Sequence, residues 1–122
     1  MHALIIEDDY LIGQLVQEVL GELGFTSFSF ARSEDGAVAA SKDQVPNLIT
    51  ADVRLLPGDG VDAVMRICAN RTIPVVFITG YADDLEGRVA GAVIVAKPIK
   101  EDELRAAVKA ALAGACPPLA AG

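Results

Sequence analysis

The stretch "ALIIEDDYL", residues 3–11, decides how the chain reads. Four apolar residues, Ala3 to Ile6, run straight into three consecutive carboxylates, Glu7, Asp8 and Asp9, before the pattern turns apolar again. A short aliphatic run is the mark of a strand covered on both faces. Surface decoration would interleave charges with neutral polar residues, whereas this arrangement gathers negative charge at the end of a buried strand. A cation is the natural guest of such a place.

Beyond the carboxylates, Leu11, Leu15, Val16, Val19, Leu20 and Leu23 fall on one helical face, which predicts a helix from Tyr10 to Leu23. Asp8 or Asp9 is placed to cap its start and Gly24 to end it. The alternation then repeats. Strands are predicted near Thr26 to Phe30, Asn47 to Asp52, Pro74 to Ile78 and Ala92 to Val95. Helices are predicted from Ser33 to about Ser41, Asp59 to about Ala69, Asp83 to Val89 (a short one) and Lys100 to Ala113. Strands alternating with helices through short connections imply an α/β fold, a doubly wound parallel sheet with helices on both faces. The segments share a pattern but no residue signature, so this is no solenoid repeat.

At 122 residues the chain has the length of one domain, expected over residues 1–113, with "GACPPLAAG" at 114–122 as a flexible tail. Just over half its residues are hydrophobic and few are aromatic, so the core should be aliphatic. A formal charge of −7, with ten scattered Lys and Arg residues, argues against direct nucleic-acid binding. No apolar run reaches the roughly 20 residues that span a bilayer, and no basic start precedes an apolar signal core. A cytoplasmic protein without membrane contact is expected. Cys68 and Cys116 form no CxxC pair and read as two unrelated, reduced thiols. His2 stands at the second position, where fraying predicts a solvated side chain.

In a doubly wound sheet, side chains at the carboxyl ends of the strands converge on the crevice where ligands bind. The first strand delivers Glu7 and Asp8, the third Asp52, the fourth Thr79 and the fifth Lys97, followed by Pro98. Crowded carboxylates repel, and a hard divalent ion relieves them. An all-oxygen donor set suits Mg²⁺ better than zinc, which would want His or Cys. Metal, ammonium and hydroxyl beside one carboxylate are the parts phosphoryl transfer needs, with Asp52 as a nucleophile that becomes an aspartyl phosphate.

These residues, in this order, resemble the receiver domain of bacterial two-component response regulators, over residues 2 to about 113. The paired acids match Glu7 and Asp8, the phosphoacceptor Asp52, the hydroxyl switch residue Thr79 and the lysine of a Lys-Pro dipeptide Lys97; "LPGDG", residues 56–60, is similar to the loop that follows the phosphoacceptor. The resemblance implies a flavodoxin-like (βα)5 fold with strand order 2-1-3-4-5. It also implies Mg²⁺ held by Asp8, Asp52 and the backbone carbonyl of Arg54, with Glu7 acting through water. The phosphoryl donor would be a phosphohistidine on a sensor histidine kinase or a histidine phosphotransfer protein. An as yet unnamed downstream protein would read the result.

Two departures stand out. Receivers commonly carry Tyr or Phe three residues before the lysine as a second switch, and here that place is Ile94. The segment from Thr79 to Lys97 is also shorter than usual by about one helical turn, roughly 3.6 residues, which implies a shortened fourth helix. "FITGYAD", residues 77–83, is similar to receivers with a Phe-Ala-Thr-Gly motif followed by Tyr, with Ile78 in place of the alanine, which leaves Tyr81 either to cover the site or to serve as the mobile aromatic instead of Ile94.

Plainer readings exist for each residue. Asp9 alone suffices as a helix cap, Asp52 could be a turn residue, Thr79 an ordinary strand residue and Lys97 a solvated lysine. Two rival functions follow. A phosphohydrolase with an Asp nucleophile would place a second Asp two residues on, where this chain has Arg54. A non-phosphorylated interaction module would keep the fold without the switch. The expectation is therefore a phosphoacceptor signalling domain and not an enzyme.

Overall fold

Every residue of β1, His2–Ile6, is buried, as its aliphatic run requires. The structure is a computed structural model that describes residues 1–55, 58–80 and 92–114. After β1 come α1 (Tyr10–Glu22), β2 (Ser27–Ala31), α2 (Glu34–Asp43), β3 (Leu48–Asp52), α3 (Gly60–Ile67) with a 3-10 turn at Cys68–Asn70, β4 (Val75–Thr79), β5 (Val93–Ala96) and α4 (Glu101–Leu112). The strands form one parallel sheet in the order β2-β1-β3-β4-β5. Element boundaries stand within one or two residues of those predicted, except that α3 gives way to the 3-10 turn at Cys68. The expected helix at 83–89, Tyr81, Cys116, residues 56 and 57 of the "LPGDG" loop and the tail from residue 115 lie outside the described residues.

The sheet separates two aliphatic cores because alternate strand residues face opposite sides. Leu4, Ile6, Ile49, Ala51, Val75 and Phe77 pack under α2 and α3 through Ala37, Val61, Val64 and Ile67. Ala3, Ile5, Leu48, Val76, Ile78 and Val95 pack under α1 and α4 through Val16, Val19, Leu20, Leu104 and Val108. Each fully buried side chain of this size contributes about 1.5–3 kcal/mol. Helix starts follow local chemistry: Asp9 Oδ1 accepts from the backbone N–H groups of Leu11 and Ile12, Ser33 Oγ from Gly36, and Asp59 Oδ1 from Val61 and Asp62. Asp9 is thus the cap of α1, which leaves Asp8 to face elsewhere.

His2 departs from expectation. It is buried in β1, with Nδ1 2.8 Å from Ser27 Oγ and Nε2 2.8 Å from Ser29 Oγ. Its backbone N–H also donates to Asn47 Oδ1 at 2.7 Å. A terminal position suggested fraying, but pairing with β2 places two hydroxyls across the ring and takes the side chain out of water. Among the described residues no helix is long and apolar enough to cross a membrane.

Candidate functional site

The carboxyl ends of β1 and β3 are adjacent because these strands pair directly, with Ile6 opposite Ala51. One step beyond that pair, Glu7 and Asp8 meet Asp52. Carboxylate oxygens of Glu7, Asp8 and Asp52 all lie within 4.8 Å of one another, Glu7 and Asp52 buried and Asp8 partly so. Lys97, at the end of the far strand β5, reaches over β4 so that Nζ donates to Asp52 Oδ2 at 2.9 Å and stands 3.7 Å from Glu7 Oε1. A cis bond joins Lys97 to Pro98. The other Asp52 oxygen, Oδ1, accepts from the backbone N–H of Arg54 at 3.1 Å. Thr79 is buried at the end of β4, and its carbonyl oxygen accepts from the Lys97 N–H at 2.9 Å, which ties the two residues to the same rim.

Two neighbours complete the site. The loop after β3 returns so closely that Gly60 packs on the main chain of Asp52: a Cβ there would overlap the Asp52 carbonyl oxygen and stand 2.8 Å from its carbonyl carbon. Beside Asp8, a groove of about 370 Å³ runs along α1 past Tyr10 and Gly13 to Phe30 and Arg32. Arg32 donates to the Asp8 carbonyl oxygen at 3.3 Å.

The sequence profile of the response regulator receiver domain matches residues 3–109. The chain belongs to the receiver domain family. The phyllosphere-induced regulator PhyR of Methylorubrum extorquens is 37% identical over 113 residues, which cover 89% of this chain and 42% of PhyR. Sporulation initiation phosphotransferase F of Bacillus subtilis is 32% identical over 111 residues, covering 87% and 89% respectively. The solution NMR structure of the Erythrobacter litoralis PhyR response regulator receiver domain superposes with a TM-score of 0.86 at 32% identity, over 93% of this chain and 90% of that one. Against the regulator PhyR, the chain spans less than half of the relative's length.

In this receiver domain the charges are strained as long as only protons are available. Glu7 is pushed from 4.5 up to about 8, first by burial and then by hydrogen bonding to, and repulsion from, Asp52. Its Oε1 is buried without a hydrogen-bond partner, since Lys97 at 3.7 Å is within ion-pair reach only. For Lys97, burial alone would lower the pKa, but Asp52, Glu7 and Asp8 outweigh it and hold the ammonium above its ordinary value. An orphaned buried carboxylate oxygen beside two further carboxylates fits a hard cation such as Mg²⁺, and the all-oxygen donor set agrees.

The structure therefore brings together Glu7, Asp8, Asp52 and Lys97, and sets the Arg54 main chain and Thr79 at their rim. Ile94 of β5 pairs with Phe77 of β4 and is 40% exposed. Tyr81 is outside the described residues. The sequence reading took Gly60 only as part of the "LPGDG" loop, without its contact to Asp52, and it missed Arg32, which carries no signal at all without knowledge that the β2 end abuts Asp8.

Proposed function

We propose that this receiver domain accepts a phosphoryl group on Asp52 from a phosphohistidine of a sensor histidine kinase or histidine phosphotransfer protein in the cytoplasm, and that the product changes its affinity for a downstream protein. The observation that carries this reading is the convergence of three carboxylates within 4.8 Å, one of them paired with Lys97 at 2.9 Å. An Asp52 oxygen attacks phosphorus while the donor's P–N bond breaks. The bonding pair leaves on the imidazole nitrogen, and the ring departs neutral when its other nitrogen carries a proton.

Glu7, Asp8, Asp52 and the main-chain carbonyl of Arg54 would hold a magnesium ion, which neutralises charge on the phosphoryl oxygens. Lys97, already on Asp52 Oδ2, turns to a phosphoryl oxygen, and the Thr79 hydroxyl donates to another. The new group adds roughly −1.5 to −2 of charge to an already acidic pocket and biases the surrounding loops toward a second arrangement.

The chain is a phosphoacceptor and not a hydrolase acting on small phosphoesters, because the position two residues after Asp52 is Arg54, whose N–H orients the carboxylate and whose side chain offers no acid. The test is beryllofluoride with Mg²⁺ on wild type and Asp52→Asn, followed by amide NMR. Shifts at Thr79 and Lys97 in wild type alone support the reading. A folded wild type that does not respond would favour an interaction module without the switch.

A further inference from the structure

β2, Ser27–Ala31, is one edge of the sheet: among the described residues it pairs only with β1. Its ladder to β1 fixes which backbone groups are already used. Ser27 N–H donates to Met1 O, and Ala31 O accepts from Glu7 N–H, so Ser27, Ser29 and Ala31 turn their N–H and C=O groups inward. Along a parallel strand the direction alternates, and Phe28 and Phe30 therefore turn theirs away from β1. An open row of this kind is a template for another strand, and edges are usually blunted by shortness, charge or proline. The opposite edge is: β5 has four residues and runs into Lys97 and Pro98. β2 has five residues, SFSFA, with neither charge nor proline among them. Its two aromatic side chains share the face turned to α1. Phe28 packs on the core beneath α1 and α4, while Phe30 stays 53% exposed beside the groove.

We propose that β2 is a self-association edge: two copies of this chain join their β2 strands antiparallel about a two-fold axis through Ser29, giving one sheet continuous across both. The register is the one in which the outward groups meet. Phe28 of one copy lies opposite Phe30 of the second, each such pair exchanging two N–H···O bonds, and Ser29 faces Ser29 in the narrow pair between them. Both Phe–Phe pairs then stand on the α1 face, where cross-strand aromatic contacts are favourable. The occupant is a second copy because this edge is complementary to itself, in hydrogen bonding and in aromatic surface alike. It is also neutral. Chains of net charge −7 repel one another, and SFSFA lets them meet without setting like charges face to face. The inference is independent of the phosphoacceptor reading.

The test is sedimentation velocity on the full chain over rising concentration, paired with amide hydrogen exchange. Wild type should pass from monomer to dimer, and exchange at the Phe28 and Phe30 amides should slow as dimer forms. Added salt should tighten the dimer, since screening relieves the net repulsion, whereas an interface of ion pairs would loosen. Phe30→Lys, at a position open enough to accept a lysine, should weaken association by at least ~10-fold, because the two-fold axis removes both aromatic pairs at once. Under oxidation Ser29→Cys should give a dimer linked through residue 29, and Ser27→Cys none linked through residue 27, whose opposite is Ala31. A chain that stays monomeric throughout overturns the proposal. So does a dimer that leaves both amides exchanging fast, or one indifferent to Phe30→Lys, since it forms on another face.

Discussion

Replacing Gly60 by alanine adds one methyl group where the chain has least room for it. The new Cβ would overlap the Asp52 carbonyl oxygen, stand 2.8 Å from its carbonyl carbon and 3.2 Å from Val53 Cα. Relief requires the loop or the end of β3 to move by more than an ångström, and both are pinned: Gly60 N–H donates to Val53 O at 2.8 Å and Val53 N–H to Ile78 O at 3.2 Å. Overpacking of this kind costs about 1–3 kcal/mol, and a buried backbone group that loses its partner costs about 1–3 kcal/mol more. The smaller freedom of unfolded alanine offsets about 0.4–1 kcal/mol. A net loss of about 3 kcal/mol is expected, which at a urea slope of about 1.5 kcal/mol per M lowers the unfolding midpoint by about 2 M. Gly21→Ala is the control. It makes the same chemical change in α1 where nothing lies within 4 Å, and it should stabilise by about 0.5 kcal/mol. Gly60→Ala unfolding within about 0.5 kcal/mol of wild type, against the roughly 3 expected, would refute the claim that Asp52 is seated by main-chain contact.

Thr50 Oγ1 is buried in β3 without a hydrogen-bond partner, so Thr50→Val, nearly equal in shape, should raise stability by about 1 kcal/mol in urea unfolding. Magnesium binding should strengthen with pH. Below about 8 the folded, metal-free chain holds a proton on Glu7 that the ion must displace, so affinity measured by calorimetry should rise from pH 6 to 8 and then level off, with proton release at the lower pH and no such rise in Glu7→Gln. The same group sets the sign for folding. Its folded pKa is raised above the unfolded 4.5, so the folded state keeps a proton that the unfolded state has lost, and metal-free stability should fall as pH climbs from about 4.5 to 8. Stability that rises over that window in metal-free urea titrations would contradict the burial of Glu7.

The alternation of strand and helix was legible because each apolar run keeps its period, and the fourfold convergence of Glu7, Asp8, Asp52 and Lys97 followed from strand ends alone. What escaped depends on contacts between segments distant in the chain. His2 looked frayed because Ser27 and Ser29 become its neighbours only when β2 pairs with β1. Gly60 stood out only as part of the "LPGDG" loop, since nothing local says that a Cβ there would meet a carbonyl eight residues earlier. Arg66 of α3 bridges to Glu34 of α2 across 32 residues of sequence, a contact that no local pattern announces. The raised pKa of Glu7 was visible as crowding, but it comes first from burial, which the sequence expresses only through the aliphatic run before it.

Intact-mass measurement after incubation with acetyl phosphate and Mg²⁺ tests the central claim most directly. Wild type should gain a single phosphoryl group, mapped by borohydride trapping to Asp52, and the gain should vanish in Asp52→Asn or when the metal is chelated. A folded wild type whose mass stays unchanged, or one that is modified to the same extent in Asp52→Asn, would contradict it.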